Sequence, residues 1–464
     1  MPLRQAILQV GISSRMKKLE IVGLILMGLL FFVWPVPHTV SVRDLLLLLN
    51  LVLFGYLAWR QGLPREAVRE LSVPVVILTV FMAWMYIVAV FVSTETAWSL
   101  GEIQSQWWRA LVALLIGGCA AYAAKNISGF RRKVWLAPFA VLMLHLLYVD
   151  FLAVQEWLAS GPVERVEGLT GGPDMSSYLT NILFGFLLAE LFHRAMHKKR
   201  ALPVYRAVLA TAWVLAIISV FAERTRNQMI TLVIMMLVLG TIYLSTQRHR
   251  LKKPVFLAGV GLMLLVVLGG MGLVVTARES SGLSNLIGTV PIAWDTEHNK
   301  AWQDEGRDGW PKLPNGETVD ISAYLRIAWF KEGLSLVRGH PLGIGYGRDA
   351  YGHGMELKYG KGNGYSHSGL LDIMIGIGIP GSALWIAFIV SLMYLSYTRM
   401  RASSNYAAVL LFLLLLDYGT RTLLDSVQRD HMLQQFMFLV GLAAVMMVSE
   451  AKTTDSGKPV LADG

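Results

Sequence analysis

The sequence predicts an all-α integral membrane protein, and three observations support this fold class. Hydrophobic residues make up 55% of the 464 residues and charged residues only 16%, with a mean hydropathy of +0.53. A soluble domain carries about 25% charged residues, so this chain could not cover a water-exposed surface of its size. The other two observations are a series of apolar runs and a regular alternation of basic residues between them.

The apolar runs predict about twelve transmembrane helices, because each is close to the roughly 20 residues that span a bilayer. They lie near residues 20–36, 45–59, 73–93, 107–124, 134–154, 178–193, 205–222, 228–245, 255–276, 369–396, 404–420 and 431–449. The tenth run contains Gly378, Pro380 and Gly381. Since proline removes a backbone donor, we predict that this run divides into a short helix and a span.

Basic residues set the predicted orientation. The N-terminus and every second connection are rich in Lys and Arg, whereas the connection 93–106 has none. This positive-inside pattern predicts that both termini lie in the cytoplasm. The first run follows a basic segment and precedes no small-residue cleavage site, so we interpret it as a retained anchor and not as a signal peptide.

The predicted layout has a large loop on the outer face, which is the periplasm if the cell is Gram-negative. Residues 1–276 hold spans one to nine, 277–366 form the periplasmic loop domain, 367–449 hold spans ten to twelve, and 450–464 form a cytoplasmic tail. The apolar spacing that includes Leu325 and Trp329 predicts a helix over about 320–338 in this loop. Its aromatic and Gly-Pro content favours an ordered, functional loop.

Arg224 and Arg226 stand on the outer side where the eighth span begins, against the positive-inside trend. They could be cations that reach the membrane interface. They could also bind an anionic lipid headgroup, because a planar guanidinium binds two phosphate oxygens at once. The start of a helix adds partial positive charge at the same place.

The loop offers further candidates in two motifs. Arg326 precedes Trp329 by three residues, so both share a helix face, either as a cation packed on a ring or as part of a site. The run that starts at His340 and ends at Arg348 has glycines at alternate positions, which permit tight turns and close approach to a ligand. No strand–helix unit surrounds these glycines, so they are not a dinucleotide fingerprint.

His367 stands at the outer start of the tenth span, between Ser366 and Ser368, either of which can cap the helix. A single histidine at an interface is often a hydrogen-bonded structural residue. It is also the side chain best suited to accept a proton near neutral pH. The sequence alone leaves both readings open.

Three classes of chemistry have no support in the sequence. The histidines lack zinc-ligand spacing, there is no phosphate-binding Walker loop, and no closely spaced aspartate pair suggests a divalent ion. The single cysteine, Cys119, permits no intrachain disulfide. An external site would see no cytoplasmic nucleotide, so group transfer there would need a donor that is already activated, such as a lipid-linked diphosphate.

These motifs together resemble the bacterial O-antigen ligase family, within a superfamily that includes O-antigen polymerases. The resemblance rests on Thr225-Arg226 at a span start, on Arg326 with Trp329, on the run His340 to Gly345, and on His367-Ser368. The twelve-span layout with one large outer loop also matches. The family usually has a small residue where Asn227 stands and often asparagine where Ser368 stands. The first difference leaves both Arg224 and Arg226 open as the main ligand.

The resemblance implies a GT-C-type glycosyltransferase without cofactor or metal. Such an enzyme transfers O-antigen polysaccharide from undecaprenyl pyrophosphate to a sugar hydroxyl of lipid A-core, with no nucleic acid involved. His367 is then the general base, and Arg226 and Arg326 bind the pyrophosphate. Arg224, Arg348, Trp329 and Ser368 are weaker candidates for substrate binding.

Two kinds of alternative remain at this stage. O-antigen polymerases and protein O-oligosaccharyltransferases would use the same donor with another acceptor. A membrane transporter or flippase would need ionisable or broken helices at mid-membrane. The candidates for such residues are His145, Asp150, Glu190 and Asp417.

Overall fold

A computed structural model gives an α-helical protein, as the sequence predicts. It describes residues 2–62, 65–126, 130–161, 163, 165–246, 283–362, 365–403, 405–428 and 430–455, with seven further positions between 258 and 269. Within these ranges the only β pairing is an isolated bridge between Lys312 and Thr318. The all-α class is therefore confirmed.

The described helices follow one another along the chain in a fixed order. They are α1 (Pro2–Val33), α2 (Val40–Arg60), α3 (Arg65–Glu70), α4 (Ser72–Phe91), α5 (Thr96–Glu102), a π-helix (Ile103–Trp108), α6 (Arg109–Asn126), α7 (Phe130–Lys133), α8 (Leu136–Ser160), α9 (Pro173–His197), α10 (Arg206–Glu223), α11 (Arg226–Thr246), α12 (Leu283–Trp294), α13 (Ile321–Gly339), α14 (Ala350–Tyr359), α15 (Gly369–Ser403), α16 (Tyr406–Leu424) and α17 (Asp430–Asp455).

Ten helical segments of the described chain are long and apolar enough to cross a membrane, and they coincide with ten of the twelve predicted spans. The first predicted span falls on α1, which is not one of the ten. Lys17, Lys18 and Glu20 lie within the last eighteen residues of that helix. Fifteen of the 22 positions of the ninth predicted span, 255–276, lie outside the described residues. The protein is thus a multi-pass membrane protein.

Burial separates the central helices from those that face lipid. α9, α16 and α17 are almost wholly buried, whereas α2, α4 and α8 expose apolar side chains along one face. Val52 on α2 is 62% exposed and Leu158 on α8 is 73% exposed. Such apolar surface needs lipid as its solvent, which agrees with the low share of charged residues.

Glycines allow α6 and α17 to pack backbone to backbone. A Cβ at Gly117 would overlap the carbonyl of Phe438, and a Cβ at Gly441 would overlap the carbonyl of Leu114. Small residues at a helix crossing permit this close approach, which is a main source of association energy between helices in lipid.

We expect Gly117→Leu to lower the thermal stability of the detergent-solubilised protein. The new side chain must push α6 away from α17, and overpacking of this kind costs about 1–3 kcal/mol. Gly55→Leu on α2 is the matched control, since nothing lies within 4 Å of a Cβ there. Equal melting temperatures for the Gly117→Leu and Gly55→Leu proteins would contradict the close packing.

α15 divides where the sequence predicts a break. Ile377 and Gly378 leave the helical conformation, and Gly378 has a φ of 71°. The indole of Trp84 donates a hydrogen bond to the freed carbonyl of Ile377 at 2.8 Å. The short helix Gly369–Gly376 therefore stands apart from the longer span that follows Pro380.

Several connections converge at the end of the bundle that carries the loop domain, which we call the loop end. The amide of Thr94 donates to the carbonyl of Ile344 at 3.3 Å, and the amide of Val166 donates to the carbonyl of Ala222 at 3.1 Å. The predicted helix of the loop is confirmed as α13, and the carboxylate of Asp320 caps it by accepting from the amide of Ala323.

Candidate active site

His367 lies at the loop end, directly before α15, in a left-handed backbone conformation with a φ of 57°. Non-glycine residues adopt this conformation at an energetic cost, so it is retained only where the surroundings fix it. The imidazole is half-buried and stacks on the indole of Trp329, with ring centroids 5.3 Å apart and planes 16° apart. The indole N–H of Trp329 donates to the carbonyl of Trp302 at 3.3 Å.

Serines and an aspartate fix the turn around His367. The amide of Ser368 donates to the hydroxyl of Ser366 at 3.1 Å, and that hydroxyl donates to the carbonyl of Ser368 at 2.9 Å. The carboxylate of Asp372 accepts from the amide of Ser366 at 3.3 Å and from the hydroxyl of Ser426 at 2.6 Å. Ser366 therefore bonds within the turn and not to an amide of α15, whereas the backbone carbonyl of Ser368 accepts from the amide of Asp372 at 2.9 Å.

α13 presents Trp329 to His367 because the next turn of the helix is anchored in the loop domain. Glu332, one turn further on, accepts hydrogen bonds from Thr296 at 2.6 Å, Tyr359 at 2.7 Å and Lys358 at 2.8 Å. Burial alone would raise the pKa of Glu332, but these hydrogen bonds and the charge of Lys358 outweigh burial, so its pKa lies below the usual value. The charged carboxylate therefore ties α13 to its neighbours at neutral pH.

Arg326 lies one turn before Trp329 on α13, as the spacing predicts, and its side chain is exposed. Among the described residues no hydrogen bond or ion pair to its guanidinium is found. The group is consequently available to an anion outside the protein.

Arg224 and Arg226 flank the turn between α10 and α11. Arg224 ends α10 in a left-handed conformation with a φ of 47°, and Arg226 is the first residue of α11. The Nε of Arg226 is buried and has no hydrogen-bond partner within the described part of the chain. Buried donors are almost always paired in native proteins, so this Nε is free to donate to a bound acceptor.

A buried carboxylate, which the sequence analysis did not single out, holds this turn. Glu223 is fully buried and accepts hydrogen bonds from Ser176 at 2.5 Å, Thr180 at 2.9 Å and Gln228 at 2.7 Å. These contacts fix the end of α10 to α9 and to the first turn of α11. Glu223 therefore positions the arginine turn, and the only sequence signal was its place directly before Arg224.

The end of α16 joins the arginine turn to the histidine turn. The side-chain amide of Asn227 donates to the carbonyl of Leu424 at 2.9 Å. The amide of Gly369 donates to the carbonyl of the next residue, Asp425, at 3.0 Å. Asn227 directly follows Arg226, and Gly369 lies two residues after His367. The two turns are therefore anchored on the adjacent carbonyls of Leu424 and Asp425, although Arg226 and His367 are 141 positions apart in the sequence.

The glycine run 340–348 packs against the protein itself. The amides of Ile344 and Gly345 donate to the carbonyls of Ile375 and Gly376, and the amide of Ile379 donates to the carbonyl of Pro341. A Cβ at Gly343 would overlap the backbone at Gly376 and Gly378. The glycines therefore permit the run to approach the backbone of the broken helix α15 closely. These contacts hold α15 beneath the loop domain.

Arg348 is already paired. Its guanidinium donates to both carboxylate oxygens of Glu102, each at 2.9 Å, and its amide donates to the same group at 3.2 Å. Among the arginines predicted to bind substrate, Arg348 is thus the one whose charge the protein itself neutralises most completely.

The ionisable residues considered for transport have local partners. Asp417 pairs with the fully buried Arg421 and accepts from Asn181 at 2.7 Å. Glu190 pairs with Arg194, and Asp150 accepts from Ser219 at 2.7 Å. No pattern in the sequence indicated Arg421, which holds α16 to α9 by donating to the hydroxyl of Ser177 at 3.1 Å. In the described residues, no group of three or more His, Cys, Asp or Glu could hold a metal ion.

The fold and these groups define a multi-pass membrane protein with cationic side chains and a histidine at one end. Residues 211–386 match the family model of O-antigen ligase. This confirms the resemblance over that segment, which includes every predicted site residue, and it indicates an enzyme of the O-antigen ligase and polymerase type. No curated protein matches the chain.

Proposed function

We propose that this protein is an O-antigen ligase, which transfers a polysaccharide from undecaprenyl pyrophosphate to a sugar hydroxyl of lipid A-core. The observation that carries the proposal is the docking of the Arg226 turn and the His367 turn on consecutive carbonyls of Leu424 and Asp425. In this arrangement a guanidinium that has no partner among the described residues for its Nε lies at the same end of the bundle as the imidazole, inside the segment that matches the family model.

The proposed reaction is one displacement at the anomeric carbon of the donor. The acceptor hydroxyl forms the new C–O bond, His367 accepts the proton of that hydroxyl, and the bond from the anomeric carbon to the pyrophosphate oxygen breaks. Arg226 and Arg326 neutralise the charge that develops on the departing undecaprenyl pyrophosphate. Pyrophosphate is a good leaving group, so no carboxylic acid is needed to protonate it.

Attack opposite the leaving pyrophosphate inverts the anomeric centre. We therefore expect the glycosidic linkage in the product to have the opposite configuration to the linkage in the donor. Nuclear magnetic resonance of donor and product measures both configurations, and retention would contradict the single-displacement step.

Reconstitution tests the activity itself. Purified protein in liposomes receives a lipid-linked glycan and lipopolysaccharide that lacks O-antigen, with and without a chelator. We expect glycan-bearing lipopolysaccharide in both arms. Growth of the glycan on undecaprenyl pyrophosphate alone would identify a polymerase, and loss of product with chelator would contradict the metal-independent mechanism.

The proposed location of the site is the periplasmic face of the inner membrane, with both termini in the cytoplasm. We expect a membrane-impermeant maleimide to label Lys361→Cys from outside whole spheroplasts in a Cys119→Ala background. Lys199→Cys, an exposed position in a basic connection, is the matched control and should react only after lysis. Labelling of Lys199→Cys alone in intact spheroplasts would reverse the orientation.

A further inference from the structure

An apolar groove of about 520 Å³ opens on the lipid-facing surface of the bundle, between α2, α3, α4, α6, α15 and α17. Its rim carries exposed apolar side chains, among them Trp59, Val68 and Val75. Among the described residues, neither a charged side chain nor any residue predicted to bind substrate belongs to its lining. The volume lies within the roughly 300–1,000 Å³ of sites that hold a small molecule.

The groove cuts inward as far as the central helix α17. Val440 and Ala444 of that helix line the groove, although both are almost fully buried. The space exists because glycines stand where larger side chains would fill it: Gly55 and Gly118 belong to the lining, and nothing lies within 4 Å of a Cβ at Gly55. Apolar atoms that border an unfilled space lose dispersion contacts, so an apolar occupant would stabilise this region.

The groove lies away from the loop end. Arg348 of the loop domain pairs with Glu102, which directly precedes the π-helix, so the π-helix and α6 begin at the loop end. The groove is lined by the later part of α6, within residues 114–122. Beyond it, the side-chain amide of Gln61 donates to the carbonyl of Ala123 at 3.1 Å and ties the ends of α2 and α6 together. The proposed orientation therefore places the groove in the cytoplasmic leaflet.

Three arginines stand beside the groove. Arg60 ends α2, and Arg65 and Arg69 lie one turn apart on α3, where Arg65 shares a helix face with the lining residue Val68. All three arginines are exposed, and none of them forms an ion pair within the described part of the chain. The ring of Tyr56 lies 5.8 Å from the guanidinium of Arg60 and does not neutralise it.

The acidic residues of α3 do not cancel this charge. Glu70 pairs with Arg399, which leaves the three arginines against one carboxylate, that of Glu66. The surface beside the groove is therefore cationic even when Glu66 is counted in full.

An apolar groove beside exposed arginines matches a lipid with an anionic head group. Hydrocarbon fills the groove, and arginines close to a membrane surface attract anionic head groups. A helix of a partner protein would fill the apolar space but leave the guanidinium groups unused. A soluble anion would do the opposite, since it has nothing to place against the apolar lining.

We propose that this groove binds an anionic phospholipid of the cytoplasmic leaflet, with an acyl chain against α17 and the head group at Arg60, Arg65 and Arg69. The chain closes the gap beside the crossing of α6 and α17, so bound lipid stabilises the bundle. This site is separate from the candidate active site and does not depend on glycan transfer.

Native mass spectrometry of the purified protein tests the head-group contact, with phosphatidylglycerol and phosphatidylcholine of identical acyl chains as probes. The wild type should retain phosphatidylglycerol more strongly. Arg65→Gln should reduce that preference about fivefold, the usual effect of one arginine near an anionic surface, and Arg65→Lys should keep it. Arg200→Gln, which removes an exposed arginine of another basic connection, is the matched control and should leave the preference unchanged.

Gly55→Trp tests the apolar part of the site. The indole enters open space, so it should exclude the acyl chain and lower the retention of both lipids. Phosphatidylglycerol should raise the melting temperature of the wild type and change that of Gly55→Trp less, because a ligand stabilises only the protein that binds it. If Gly55→Trp does not fold, the arginine variants decide alone.

Three results would overturn the proposal. The first is equal retention of the two lipids by the wild type, and the second is an equal loss of preference in Arg65→Gln and Arg200→Gln. The third is a dimer in the same spectra that Gly55→Trp dissociates, which would assign the groove to a second copy of the chain.

Discussion

Replacing His367 with asparagine should lower the rate of glycan transfer by about 10²–10⁴-fold, the usual contribution of a general base. Asparagine tolerates the left-handed conformation that His367 adopts, so the turn before α15 should persist without the imidazole. We expect unchanged expression and melting temperature, and the residual rate should lose the pH dependence that the imidazole gives to the wild type. The rate is measured as the lipopolysaccharide product formed in liposomes.

A second histidine of the loop provides the matched control. His340 is exposed, ends α13 and lies before a proline, and His340→Asn should leave transfer near the wild-type rate. Trp329→Leu removes the stacking partner and the hydrogen bond to the carbonyl of Trp302 but keeps the imidazole, so it should reduce the rate less than His367→Asn does. Normal transfer by His367→Asn would remove the general-base assignment, whatever the effect of the other two variants.

Patterns that are local in the sequence predicted much of the fold. Apolar runs identified ten spans because a helix in lipid must be apolar over a fixed length. Gly378 and Pro380 indicated the break in α15, and the 3.6-residue spacing around Trp329 indicated α13. The first predicted span is not among these ten, since Lys17, Lys18 and Glu20 lie at the start of its apolar part.

Contacts between distant segments were beyond the reach of such patterns. Glu102 lies 246 positions from its partner Arg348, and Asn181 lies 236 positions from Asp417. No periodicity or motif specifies which polar side chain of one segment pairs with which polar side chain of a distant segment. For the same reason, the glycine run at 340–348 predicted close approach to a ligand, whereas the structure shows the run packed against the backbone of α15.

Arg226→Gln should reduce transfer by about 10²–10³-fold, the loss that follows removal of one group that stabilises developing negative charge. The Nε of Arg226 is buried without a protein partner, so the substitution removes a donor that no other described group replaces. Arg226→Lys should restore only part of the rate, because an ammonium cannot bind two phosphate oxygens in the planar geometry of a guanidinium. The retention of undecaprenyl pyrophosphate by the purified protein should fall in the same order.

Arg224→Gln distinguishes the two arginines of this turn. Arg224 follows α10 in a left-handed conformation, and glutamine is a shorter polar side chain that removes the charge. If Arg226 is the main ligand, the loss for Arg224→Gln should be at least tenfold smaller than the loss for Arg226→Gln. The reverse order would transfer the role to Arg224. Equal and small losses for both variants, with donor retention unchanged, would show that the pyrophosphate binds elsewhere, because the Glu223 contacts that hold the turn are intact in each.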